Sequence, residues 1–166
     1  IVGTSGGIYS IPKPTSDEAI TPGNMRDKFN TAYDCGSVPA LPLNNTMVFT
    51  QRENRILREL TYDIGNYKYK GARELTLLSG HITGTGGLTQ IGAQQHPSTI
   101  LWGIRTDGEA VSFTYEKDEG VYAFARHVTD GEFISVATAS SSVGDELWFC
   151  VKRTIGGSDK YYIERM

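Results

Sequence analysis

From Leu88 to Met166 apolar residues fall on alternate positions, and turn residues interrupt them roughly every 8–12 positions, the rhythm of short antiparallel strands. Ile100, Trp102 and Ile104 share one strand face, Thr106-Asp107-Gly108 turns the chain, and Val111, Phe113 and Tyr115 share a face of the return strand. Lys117–Gly120 turns into a third strand at Val121–Arg126, and Asp130-Gly131 leads into Phe133–Thr138. Beyond the polar loop Ser140–Gly144, Leu147–Lys152 and Tyr161–Arg165 form a hairpin across Gly156-Gly157. The runs ILWGI (100–104) and LWFCV (147–151) are apolar on both sides, as expected of sheets packed face to face.

The first third is less regular. Ile1–Val2 and Ile8–Ile11 flank a glycine-rich hairpin turn, and Thr15–Asn24 is a polar connector with at most one helical turn after Thr21-Pro22. Met25, Phe29, Thr31 and Tyr33 alternate with polar residues and predict a strand. No stretch carries a convincing 3.6-residue period. Ile56–Leu60 has helical propensity, but its alignment with a later strand predicts strand.

That alignment is an internal repeat. Thr46–Asp63 recurs without a gap 53 residues further on, at Thr99–Glu116. Thr46 falls on Thr99, Arg52 on Arg105, Asn54 on Asp107, Thr61-Tyr62 on Thr114-Tyr115, and Asp63 on Glu116. A looser third copy begins 46 residues later, where Leu147-Trp148 echoes Leu101-Trp102 and Lys160–Glu164 answers Val111–Glu116. Strand pairs at such periods predict an all-β, antiparallel fold of β-propeller-like blades with almost no helix. The units fall at approximately 25–80, 88–128 and 132–166. Three units do not close a ring of about 4–8 blades. The expectation is therefore a partial propeller, a fragment of a longer protein, whose open edges further blades or another subunit would cover.

Composition adds limits. The 166 residues make one ordinary domain, with 39% hydrophobic, 21% charged and 10% aromatic residues. The formal charge is −3, with 16 basic residues scattered among 19 acidic ones, which argues against specific nucleic-acid recognition through clustered phosphate contacts. No apolar run reaches the ~18 residues that would span a bilayer, so no membrane anchor is expected. Cys35 sits in a turn beside Gly36 and Cys150 inside LWFCV, where a buried reduced thiol is the expected state.

Several motifs suggest chemistry and have a plainer reading. IVGTSGG (1–7) resembles fragments of trypsin-like proteases, but no histidine precedes Ser5 and Thr4 stands where an aspartate belongs, so a hairpin turn is expected. His81, His96 and His127 have no ligand spacing, and neither metal nor cofactor is expected. Gly84–Gly87 lacks the lysine and following helix of a phosphate loop and reads as a linker between blades. Asp107, Glu109, Asp118, Glu119, Asp130, Glu132, Asp145 and Glu146 lie in or beside turns, without the repeated box of sialidase propellers. No catalytic residue is assigned. Trp102, Trp148, Phe113, Tyr115, Phe124, Phe149, Tyr161 and Tyr162 read as core. Tyr67, Lys68, Tyr69 and Lys70 alternate in NYKYKG as an exposed edge, the candidate partner contact.

From Ile100 onward the text resembles virion structural proteins of tailed bacteriophages and prophages, of the nozzle-like, tail tubular or head–tail stabilisation kind. The resemblance rests on Leu101-Trp102 with Arg105 and Asp107-Gly108, Thr114–Glu116, and His127 with Thr129–Gly131 and Phe133. Asp145–Trp148, Arg153–Gly157 and Tyr162–Arg165 continue it, and Val2–Gly7, Ile20–Asn24 and Arg58–Asp63 precede it in the same order. It implies a non-enzymatic subunit that assembles as a ring in the virion tail or neck, around the conduit for DNA exit. Its partners would be copies of itself and other tail, neck or portal proteins. Family members are longer, in keeping with a fragment. The alternative is a carbohydrate-binding or glycan-cleaving propeller at the host surface.

Overall fold

The computed structural model describes residues 1–12, 18–43, 45–66, 68–84 and 86–166. Four antiparallel sheets follow one another along the chain, each a simple meander. The first holds β1 (Val2–Thr4), β2 (Gly7–Ser10) and β3 (Lys28–Thr31). The second holds β4 (Leu41–Leu43), β5 (Thr46–Thr50), β6 (Leu57–Asp63) and β7 (Lys68–Glu74). A single helical turn, α1 (Gly80–Thr83), leads to the third: β8 (Leu88–Gln94), β9 (Ile100–Arg105), β10 (Ala110–Glu116) and β11 (Val121–His127). The fourth holds β12 (Glu132–Ser140), β13 (Asp145–Ile155) and β14 (Ser158–Arg165). The all-β antiparallel expectation holds, and of Ile56–Leu60 all but Ile56 is strand, in β6. Among the described residues no helix is long and apolar enough to cross a membrane.

Hairpin chemistry explains the connections. Gly108, Gly120, Gly156 and Gly157 all take positive φ in the tight turns that join β9 to β10, β10 to β11 and β13 to β14. The IVGTSGG segment is the β1–β2 hairpin, closed by the Thr4 hydroxyl on the Gly7 carbonyl at 2.7 Å. Thr85 of the Gly84–Gly87 linker lies outside the described residues. Gly87 (φ 79°) crosses the turn of the second sheet so closely that a Cβ would sit 2.4 Å from the Glu53 carbonyl oxygen.

Three cores separate the sheets. Ile8 meets Phe49, Leu60 and Ala72 between the first and second. Val48, Leu57, Leu101, Val111, Phe113 and Tyr115 fill the space between the second and third. Trp102, Ile104 and Ala110 meet Phe133, Val136, Leu147, Phe149 and Val151 between the third and fourth. The apolar-on-both-sides reading of ILWGI follows directly, because β9 sends Leu101 to one core and Trp102 and Ile104 to the other. The 25–80 stretch divides in the structure: β3 pairs with β2, while β4–β7 make their own sheet.

The repeat occupies β5–β6 and β9–β10, the central hairpins of the second and third sheets. It reaches one strand further, since Tyr69, Ala72 and Arg73 of β7 return 53 residues on as Tyr122, Ala125 and Arg126 of β11. The gapless alignment needs one correction. Val48 pairs with Glu59, but Leu101 pairs with Phe113, so the spacing grows from 53 to 54 in the second strand. The cause is the connection. Six residues (Gln51–Ile56) separate the paired Thr50 and Leu57, against seven (Ile104–Ala110) between the equivalent pair Gly103 and Val111. The shorter turn contains a 3-10 segment, Arg52–Asn54, with Glu53 and Asn54 both at positive φ. A slip of one exchanges the faces of a strand. Tyr62 is accordingly 38% exposed where Tyr115 is 1% exposed, and Glu59 points into the core.

Candidate functional site

The sequence-predicted edge is an edge strand. Lys68, Tyr69 and Lys70 begin β7, which closes the second sheet, and Tyr67 lies outside the described residues. Tyr69 stacks edge-on against Tyr62 at 5.1 Å, and Lys70 pairs with Asp63 at 2.5 Å. Lys70 and then Asn66 hold the Asp63 carboxyl at about 2, well below the usual carboxylate value. Lys68 is exposed, while Tyr69 and Lys70 are engaged within the chain.

The carboxylates serve as ties. Arg105, 4% exposed, ion-pairs with Asp107 and, at 3.0 Å, with Glu109, which Arg126 also approaches at 3.8 Å. Glu132 pairs with Lys152 at 2.9 Å and Glu146 with Arg165 at 3.0 Å. Asp145 accepts the backbone N–H groups of Gln95 and His96 at 2.7 and 3.0 Å, which lower its pKa and bind the third sheet to the fourth. Asp118 and Glu119 stay exposed in the β10–β11 turn. Among the described residues no cluster of histidine, cysteine or carboxylate could hold a metal ion.

Two polar contacts sit at the cores. Glu59, turned inward by the register slip, accepts a short hydrogen bond from the Tyr115 hydroxyl, with Lys117 3.9 Å away. Burial, reinforced by that carboxylate, pushes the Tyr115 pKa up and keeps the phenol neutral. His127 Nε2 lies 2.9 Å from the Ser112 hydroxyl, and its ring packs 4.9 Å from Trp102. Burial lowers the His127 pKa.

A cavity of about 290 Å³ lies between the first and second sheets, lined by Ile8, Cys35, Val38, Met47, Phe49 and others. Burial, then Asp34, pushes the Cys35 thiol up, so it is not a thiolate nucleophile. The expectation of a buried Cys150 is corrected. Leu147, Phe149 and Val151 face the core, so Cys150 and Trp148 point to the other side of β13, where both are half-buried.

That other side was missed in the sequence. Lys152 pairs with Tyr161 and Cys150 with Ile163, so Trp148, Cys150, Tyr161 and Ile163 share the outer face of the fourth sheet. Tyr161 is 64% and Ile163 68% exposed, and Tyr162 on the opposite face is 41% exposed, so the expectation that Tyr161 and Tyr162 are core is wrong. At the other end of the row, Val2, Tyr9 and Phe29 are register partners on the first sheet, opposite to the face that buries Ile8. Phe29 is 56% exposed. The signal for β14 was its content: DKYYIER follows a strand with a full apolar stripe but carries only half of one. The chain matches no family model and no curated protein.

Proposed function

We propose that the chain is a structural module of an assembly, a subunit piece of a phage tail or neck ring around a DNA exit conduit. One observation carries the assembly part. The second and third sheets each give both faces to a core, while the first and fourth each leave an apolar face bare, with Val2 and Phe29 at one end and Tyr161 and Ile163 at the other. Faces of this kind are interaction surfaces on soluble proteins. Two different bare faces at opposite ends of a row suit head-to-tail contact between copies, which closes into a ring when the rotation per subunit allows. The resemblance to virion structural proteins supplies the setting, and the charge of −3 suits a conduit past which phosphates must slide.

The test is imaging of the purified protein by electron microscopy together with probing of virions by antibody. Rings of constant diameter, and label at the tail or neck, are expected. A protein that stays monomeric, or one that binds a defined glycan saturably or cleaves it, overturns the reading in favour of the host-surface alternative.

A further inference from the structure

The edges that β7, β11 and β14 form on the second, third and fourth sheets are treated differently. On β7 the ladder breaks between Glu59 and Leu60, with Gly71 and Ala72 at positive φ, and Lys68 and Lys70 precede the break. Bulges and lysines are the usual guards against edge pairing. On β11 the helical turn α1 lies against the strand, and the Arg73 guanidinium caps Tyr122 at 4.5 Å. β14 has neither. Its ladder on β13 runs unbroken from Trp148–Arg165 to Ile155–Ser158, leaving eight residues with an open far edge.

The charges along that edge form a sign-reversed palindrome, Asp159-Lys160-Tyr161-Tyr162-Ile163-Glu164-Arg165. Antiparallel pairing about Tyr162 with an identical strand sets Lys160 against Glu164 and Asp159 against Arg165, on both sides of the two-fold axis. It also sets Tyr161 against Ile163 on the bare face and Tyr162 against itself on the other. Residues directly opposite lie on one face of a sheet, so all four charge pairs are attractive. Among the described residues Lys160 makes no ion pair within its own chain, which leaves it available. Glu164 is already oriented by Arg153, at 2.9 and 2.8 Å, and Arg165 by Glu146.

We infer that β14 is a self-recognition edge: two copies of the chain pair through it, antiparallel and two-fold, joining their three-stranded fourth sheets into one of six strands. This contact is isologous and separate from head-to-tail packing of the bare faces, so it does not rest on the ring.

Sedimentation velocity on the 166-residue chain tests it. The unaltered chain is expected to dimerise with rising concentration, with amide exchange slowed in β14. Lys160→Glu sets like charges opposite each other twice in a homodimer, and so does Glu164→Lys. Each alone is expected to weaken association about tenfold. Lys160→Glu leaves a carboxylate opposite Arg153 and should not disturb the monomer. Mixing the two variants restores both attractive pairs, and heterodimers of near-original affinity are expected. If Glu164→Lys does not fold by circular dichroism, Asp159→Lys mixed with Arg165→Glu poses the same question at the neighbouring pair. A monomeric unaltered chain overturns the inference, and so does binding of β14 only to strands of another protein. Variants that associate undiminished, or a mixture no tighter than its components, overturn it equally.

Discussion

The third and fourth sheets use related strands to opposite ends. In β9, Leu101 enters one core and Trp102 and Ile104 the other, so both faces of this strand are interior. In β13 the echoed Leu147 enters a core, but Trp148 and Cys150, in the places of Trp102 and Ile104, end on a bare face. The same two positions are interior in one sheet and half-buried on an outer face in the next. What differs is the neighbour: the fourth sheet covers Trp102, and among the described residues no sheet covers Trp148. Residue type thus marks a face as fit for burial, and only the arrangement of sheets decides whether the burial happens within the chain.

The comparison can be broken at either sheet. Phe149→Ala, on the covered face of β13, should cost about 3–5 kcal/mol in urea unfolding, as for other buried aromatic truncations. A loss below about 1 kcal/mol would mean that the third and fourth sheets do not share a core. Tyr115→Phe strands the inward Glu59 carboxylate and should cost about 1–3 kcal/mol. It should also flatten the alkaline limb of stability. The raised Tyr115 pKa makes the neutral phenol stabilising below the ordinary tyrosine value near 10, an effect lost as pH rises above it. An unchanged alkaline limb in the variant would count against that buried pair.

The Asp63 carboxyl offers a subtler check on the second sheet. With its folded value lowered to about 2, the tie to Lys70 and Asn66 holds above the unfolded carboxyl value near 3.9 and loosens as pH falls toward the folded one. Carboxyl titration by nuclear magnetic resonance should follow that curve, and Asp63→Asn should remove it from the neighbouring amides. The smallest effect belongs to the bare face. Ile163→Ser should change the unfolding free energy of the monomer by less than about 0.5 kcal/mol, because the side chain is already in water. A larger loss would show that this face is covered within the chain after all.

Strands, turns and the all-β class could be read from the residues because their causes are local: side-chain alternation and Asp-Gly or Gly-Gly turns act over a few positions. The repeat was visible for the same reason. Its one-residue slip was not, since Glu53 and Asn54 carry no mark of their positive φ, and the inward turn of Glu59 onto Tyr115 follows from that slip. The candidate edge at Lys68–Lys70 was recognisable from its alternation, but not its ion pair with Asp63 across the β6–β7 turn. Sequence alone determined which faces are apolar. Tertiary structure alone decided which of them stay uncovered, because covering a sheet face depends on residues brought from elsewhere in the chain, and Trp148, Tyr161 and Ile163 have none brought to them.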